Sequence, residues 1–432
     1  VVNARSRTAG SAPARAESAS TRRDEILEAA SALFAGSGFS ATSLKDVADA
    51  CGILPGSLYH HFESKEAIVV ELLDRFHDDQ ERIGTTALGR LAKGEDRSTQ
   101  DQLRLLAVEA AANSVRHRAA MTLLFHDPPQ RSGERLQQTL RRPDGALEDA
   151  YRAVLEQARA DGLLRPEIEP ELLADQLREA MLHTSLTVFY GDTPPSAVAD
   201  TVIHVLLHGI ARGPVADADL DGSAAMEVAV AAVRSWDEAD AEPVADDRVS
   251  ALLRVARTEF ARRGYEGTTV RHIAAAAGIG TGTVFRLTGS KEAMLDWIMA
   301  AFQTRITEGY EKVLATDAPA AAKLDALAWF NLHVRNRFDE EFSIQRSWLR
   351  LRPPHHTEHG KSLRERADAV GRMIGAAVAS GELRGHGPVE VFARCVWDLL
   401  WLPPDMYDRY GPDRSQRHYR GTVLRGALVH PA

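Results

Sequence analysis

The chain has 432 residues and a formal net charge of -9, with 44% hydrophobic and 26% charged residues. At about 150 residues per domain this makes two or three domains, and the balance excludes wholesale disorder and collagen-like repeats. No apolar run reaches the roughly 18 residues that cross a bilayer, and the acidic total speaks against a bulk nucleic-acid binder. Cys51 and Cys395 are too few for a disulfide framework or a cysteine zinc site, and they suit a reducing compartment. Arginine outnumbers lysine, 45 to 7, which favours bidentate recognition of phosphate or carboxylate.

Residues 1–19 carry Arg5, Arg7 and Arg15 but no apolar segment, and read as a disordered basic arm rather than a secretory signal. Thr21–Ala35 then predicts a helix with an apolar stripe of Ile26, Leu27, Ala30, Leu33 and Phe34, stopped by Gly36 and Gly38. Thr42 or Ser43 caps a short second helix, Leu44–Ala50. Cys51-Gly52-Ile53 is a tight turn in which Gly52 takes the left-handed conformation at low cost. Pro55 or Gly56 opens a third short helix through Phe62, and Ser64 caps a longer fourth. Two short helices about a glycine turn make a helix-turn-helix, whose second helix enters the major groove of DNA.

Amphipathic faces continue downstream at Leu72, Phe76 and Ile83, at Leu103, Leu106 and Ala110, and at Leu172, Leu177 and Met181. Pro128-Pro129, Gly162, Pro166, Pro170 and Pro194-Pro195 punctuate them. Gly213-Pro214 ends this run. Ala224–Trp236 predicts an extra helix with Met226, Val230 and Val233 on one face, and Asp237–Asp247 reads as an acidic linker. Period-two alternation is nowhere sustained, so the expected fold class is all-α.

The chain repeats itself. Leu27–Ala67 aligns without a gap onto Leu253–Ala293, with 15 of 41 positions identical. Gly38, Thr42, Ala48, Gly52-Ile53, Gly56 and Ser64-Lys65-Glu66-Ala67 recur as Gly264, Thr268, Ala274, Gly278-Ile279, Gly282 and Ser290-Lys291-Glu292-Ala293. A second echo joins Ala160-Asp161-Gly162-Leu163-Leu164-Arg165 to Ser380-Gly381-Glu382-Leu383-Arg384. Whole halves therefore repeat. The expected boundaries are the arm 1–19, a first head 20–66, a first helical body 67–213, extra helix and linker 214–246, a second head 247–292 and a second body 293–432.

The ordered pattern Gly38-Phe39, Thr42-Ser43-Leu44, Val47-Ala48, Ala50, Gly52-Ile53, Gly56-Ser57-Leu58-Tyr59-His60-His61-Phe62 and Ser64-Lys65-Glu66-Ala67 resembles the TetR family of transcriptional regulators. The resemblance implies, for each half, a three-helix DNA-binding head and a helical-bundle body for ligand binding and dimerisation. Thr42 and Ser43 at a helix start, Lys45, Tyr59 and Lys65 are expected on phosphates, and Pro55, Gly56, Ser57 and His60 on base edges. Val47, Ile53, Leu58 and Phe62 are expected to pack the head's core.

The corresponding positions of the second head are Thr268, Thr269, Arg271, Thr281, Gly282, Thr283, Arg286 and Lys291. It departs from the pattern where Tyr59 becomes Phe285 and His61-Phe62 become Leu287-Thr288. Yet Asp247–Ala293 holds eight Lys or Arg against four Asp or Glu, whereas Thr21–Ala67 holds four against seven. The second head reads as a DNA contact or as a degenerate packing module. Local charge, rather than the chain's total, governs DNA affinity.

In the bodies, Met121, Phe125, Tyr151, Met181 and Phe189 of the first half, and Phe330, His333, Trp348, Met373 and Trp397 of the second, are candidates to line an effector pocket, with ordinary core packing as the competing reading. Asn331 and Arg335 are a further candidate pair for a carboxylate, against a solvated edge. His204 and His208, and the group His355, His356 and His359, lack the zincin glutamate and any cysteine partner, so no metal is assigned, and the first pair is expected in a helix interface. No nucleophile elbow or phosphate loop occurs, so neither an enzyme nor a cofactor is expected.

The expected function is a cytoplasmic, nucleoid-associated repressor that leaves a double-stranded operator when a small-molecule effector binds, with no membrane partner. Its halves pair with each other as a covalent pseudo-dimer on unlike half-sites, or two chains form a homodimer. The alternative is a ligand-binding or protein-interaction scaffold whose heads no longer read DNA.

Overall fold

The computed structural model describes residues 12–39, 42–95, 97–125, 133–143, 145–188, 193–241, 248–265, 267–351, 358–403 and 406–429. The first half comprises α1 (Ala12–Ser37), α2 (Leu44–Ala50), α3 (Pro55–Tyr59), α4 (Lys65–Ala92), α5 (Thr99–Arg116), α6 (Arg118–Phe125), α7 (Glu134–Leu140), α8 (Gly145–Ala160), α9 (Pro170–Val188) and α10 (Pro195–His208). A joint of α11 (Asp217–Asp221) and α12 (Ala224–Ala241) leads to the second half. This contains α13 (Arg248–Arg263), α14 (Val270–Ala276), α15 (Thr281–Thr288), α16 (Lys291–Leu314), α17 (Ala320–Arg337), α18 (Asp339–Leu351), α19 (Glu358–Ala379), α20 (Val389–Leu399), α21 (Met406–Tyr410) and α22 (Pro412–Tyr419). A π-helical turn, Arg420–Leu424, follows α22. Among the described residues there is no strand, only two isolated bridges, and no helix is long and apolar enough to cross a membrane.

Two compact units form. The first holds residues up to Arg75 together with Arg118–Arg142; the second holds Phe76–His117 and Pro143 onward. The expected body 67–213 is thus divided: α6 and α7 group with the first head. Helix α1 also starts earlier than expected, at Ala12, so much of the presumed arm is helical. In the first unit Ile26, Leu27, Ala30 and Phe34 of α1 are buried with Val47, Leu58, Phe62 and Ile68. The i, i+4 spacing of Ile26, Ala30 and Phe34 puts them on one face.

In the second unit one apolar cluster runs from Ile83 to Ala427. The extra helix α12 belongs to it. Its buried Trp236 packs edge-on against Phe330 at 5.2 Å and Phe338 at 5.0 Å, so α12 is part of the second half's core, and it runs on to Ala241 through the first residues of the expected linker. The acidic stretch after it, residues 242–247, lies outside the described residues.

The ends of the two halves exchange backbone hydrogen bonds reciprocally. Ile210 N–H donates to Val423 O at 3.0 Å, and Ala427 N–H donates to Leu206 O at 2.9 Å. Ala211 N–H bonds Leu424 O at 2.9 Å as Leu428 N–H bonds Leu207 O at 3.0 Å, and Arg165 N–H bonds Ala427 O at 2.9 Å as Arg384 N–H bonds Ile210 O at 2.7 Å. The bridges Leu164–Leu428 and Ala211–Leu383 obey the same correspondence. At the centre the two segments touch through Gly209 (φ 70°) and Gly426 (φ 84°). A Cβ on Gly209 would lie 2.4 Å from the carbonyl carbon of Arg425, and one on Gly426 2.3 Å from that of His208. Only glycine permits both the φ and the approach. The contact is isologous: each segment meets the counterpart of the segment that meets it. The sequence echo at Gly162–Arg165 and Gly381–Arg384 falls on this seam.

Candidate nucleic-acid interface

Each head builds its helix-turn-helix with the same local chemistry. Ser43 Oγ accepts from Asp46 N–H at 3.2 Å, and Asp46 Oδ2 accepts from Ser43 N–H at 2.7 Å, a capping box that starts α2. The bonds from Ser43 hold the Asp46 carboxyl below its usual range. In the second head Thr269 and His272 make the equivalent box for α14, through the imidazole Nδ1. Helix α2 ends at Gly52 (φ 65°), where Gly52 N–H reaches Asp49 O and Ile53 N–H reaches Ala48 O. That is the glycine-dependent termination expected of the turn.

Two residues expected on phosphates face inward. Thr42 is buried, and its hydroxyl donates to Gly38 O at 2.7 Å; Thr268 repeats this with Gly264 O at 2.8 Å and Glu259 O at 3.0 Å. Lys65 Nζ donates to Phe39 O at 2.6 Å and Thr42 O at 2.8 Å, and lies 4.1 Å from the Phe39 ring centre. Lys291 does the same with Tyr265 O, Thr268 O and the Tyr265 ring. The turn before α2 aims its carbonyls at one point, and the ammonium collects them. Both lysines therefore tie the fourth helix of the head to that turn.

Each head's exposed face is built by its own recognition helix. In α3, Leu58 anchors the helix inward while Pro55, Gly56, Ser57, Tyr59 and His60 are exposed, with Tyr59 56% accessible. A Cβ on Gly56 or Gly282 would meet nothing within 4 Å, so no contact inside the head requires glycine there. Leu54, just before α3, is 77% exposed and is the residue that sequence reasoning missed. Its signal was an apolar side chain beside Pro55 that fits no inward position. Arg23 locks α3 from behind: its guanidinium lies 4.1 Å from the Phe62 ring centre, donates to His61 O and pairs with Glu71. Lys45 is exposed and paired with Asp49 at 2.7 Å, which raises its pKa.

The second head keeps a full recognition helix despite its altered ending. Thr288 takes the place of Phe62, buried, with its hydroxyl donating to Val284 O at 2.9 Å. Thr281, Gly282, Arg286 and Phe285 are exposed, Phe285 to 51%, and Thr283 partly so. Arg271 and Arg286 are exposed and form no ion pair among the described residues.

Met121 is buried in the first unit; Tyr151 and Met181 are buried in the second. Phe189 and the side chains of Phe125 and Trp348 lie outside the described residues, as do the side chains of His355, His356 and His359. Phe330 and Trp397 pack about Tyr310, at 6.0 and 5.6 Å, while His333 stacks on Trp329 at 3.9 Å and Met373 is half-buried. Asn331 is not at a solvated edge: it is buried, accepts from Tyr310 Oη at 2.9 Å and donates to Leu400 O at 3.2 Å. Arg335 covers the Phe342 ring, 5.4 Å from its centre. A cleft between α4 and α5 beside Val154 holds about 30 Å³, room for a water or two. His204 stacks on His386 at 3.8 Å and His208 bonds Gln100 at 2.9 Å, so this pair sits in a helix interface, and no metal-holding cluster occurs among the described residues.

The family model for bacterial regulatory proteins of the tetR family matches residues 26–72 and again 252–298, the two heads. The HTH-type transcriptional repressor KstR2 of Mycolicibacterium smegmatis is 32% identical over 161 residues, 37% of this chain and 75% of that protein. KstR2 of Mycobacterium tuberculosis H37Rv is 32% identical over 167 residues, 37% of this chain and 77% of its own. The solved structure of the ketosteroid transcriptional regulator KstR2 of Mycobacterium tuberculosis is 28% identical, covers 43% of this chain and 92% of that one, and has a TM-score of 0.36. With its helix-turn-helix head present twice, this chain belongs to the TetR family of DNA-binding transcriptional regulators and is not an enzyme.

Proposed function

We propose that the chain is a repressor whose two halves pair as a covalent pseudo-dimer, so that one molecule reads an operator with two unlike half-sites. The observation that carries this reading is the reciprocal hydrogen bonding about Gly209 and Gly426, which occupies within one chain the kind of self-complementary surface a homodimer would use. The heads differ in what they offer DNA. The first presents Leu54, Pro55, Tyr59 and His60, suited to thymine methyl groups and a few polar base edges. The second presents Arg271 and Arg286, suited to phosphate and guanine. Repression is the role named for the KstR2 relatives. Release follows when an effector in the helical bodies favours a head spacing that mismatches the operator. The test is footprinting of the intact chain with His60→Ala or Arg286→Ala. Each variant is expected to lose protection over one half-site only, and Arg286→Ala to lose about 1 to 3 kcal/mol of base discrimination there. Equal loss over both half-sites from either variant would contradict the reading.

A further inference from the structure

The second body buries a cation that forms no ion pair among the described residues. Arg366, on α19, is 4% exposed. Its Nη1 donates to Thr307 Oγ1 and its Nη2 to Gln303 Oε1, each at 2.8 Å and each on α16, while Nε has no hydrogen-bond partner among the described residues. The sequence neighbour Glu365 is exposed. Burial pushes the Arg366 pKa down to about 10, which leaves it charged at neutral pH. Elsewhere the fold answers such a charge: Arg420, equally buried, meets Asp325 at 2.8 Å and Asp221 at 2.6 Å. A guanidinium held by a neutral amide, a hydroxyl and the Tyr310 ring, 5.9 Å from its centre, has no bonded counter-ion to make its burial tolerable. Its free Nε–H and the adjacent Nη–H form the two-pronged edge that fits an oxyanion. Phe302, Ile306 and Tyr310, beside the polar pair on α16, are buried and apolar.

We propose that Arg366, with Gln303 and Thr307, is an oxyanion-binding subsite of the second body, taking the carboxylate of an apolar small molecule or a free phosphate. The inference rests on the reading of the bodies as effector-binding and names the chemistry the second body would select. The neutral partners Gln303 and Thr307 orient the guanidinium without neutralising it, so the attraction for an incoming anion is preserved.

The test is calorimetric titration of the DNA-free full chain with octanoate, octanol and inorganic phosphate, alongside Arg366→Gln and Gln303→Glu. Saturable binding of octanoate or of phosphate, with octanol at least about tenfold weaker than octanoate and the anion at least about tenfold weaker in Arg366→Gln, supports the subsite; which anion binds identifies the source. Gln303→Glu supplies a carboxylate from within, so it should raise the melting temperature and abolish the anion response even if Arg366→Gln fails to fold. No saturable binding of either anion, or binding undiminished in both variants, overturns the subsite. Anion binding through Arg366 with operator affinity unmoved leaves the subsite standing and removes the effector reading.

Discussion

Lys65 illustrates how a residue type can be right for a family and its task differ in detail. Its position after Ser64 suggested a phosphate clamp, but its ammonium gathers two carbonyls and a ring. A hydrogen bond from a charged donor contributes about 1.5 to 3 kcal/mol, so Lys65→Ala should lower the head's stability by at least that amount in thermal denaturation. Acting through this tie alone, Lys65→Ala should lower operator affinity with the salt dependence unchanged. A lost phosphate contact would instead reduce the slope of log K against log salt by about 0.9. The sequence made the recognition face legible, since Gly56, Tyr59 and His60 follow from helix period and turn chemistry. It hid the inward hydroxyls of Thr42 and Thr268, because whether a residue after a loop caps the helix or plugs the turn depends on a carbonyl geometry that only the folded head defines.

At the scale of elements, α12 shows the limit of composition as a guide. The sequence predicts a helix ending at Trp236 and an acidic linker from Asp237, yet α12 continues through Ala241, and it seats Trp236 between Phe330 and Phe338. Removing a buried tryptophan side chain costs about 3 to 5 kcal/mol, so Trp236→Ala should lower the unfolding free energy of the full chain by that amount in urea. A tethering helix without a packing role would leave the midpoint unchanged. Helix periodicity located the helices of the first head and a few of the first body, and the repeat located both heads. It could not assign α6 and α7 to the unit of the first head, or α12 to the second half, since those groupings rest on contacts distant in sequence.

At the scale of the whole molecule, the seam between the halves carries two histidines held neutral by burial. His418 is buried and bonded to Gln176 of the other half at 2.9 Å, and burial lowers its pKa to about 4; His204, stacked on His386, is lowered likewise to about 4. Folding favours the neutral ring, so this stability is complete above about pH 6.5 and is lost as pH falls toward 4. For His418 the loss amounts to about 2 kcal/mol at pH 5. The urea midpoint should therefore fall between pH 7.5 and pH 5, and the fall should be smaller in His418→Gln; equal falls in both proteins would remove His418 from the account. The net charge of -9 no longer argues against DNA, because the exposed Arg271 and Arg286 sit in a head whose own segment is basic. The central claim is that two unlike heads on one self-paired chain form the reading unit. Light scattering of the chain on its footprinted operator tests it most directly: one chain per operator with unlike half-sites is the predicted result, and two chains on a palindromic operator would contradict it.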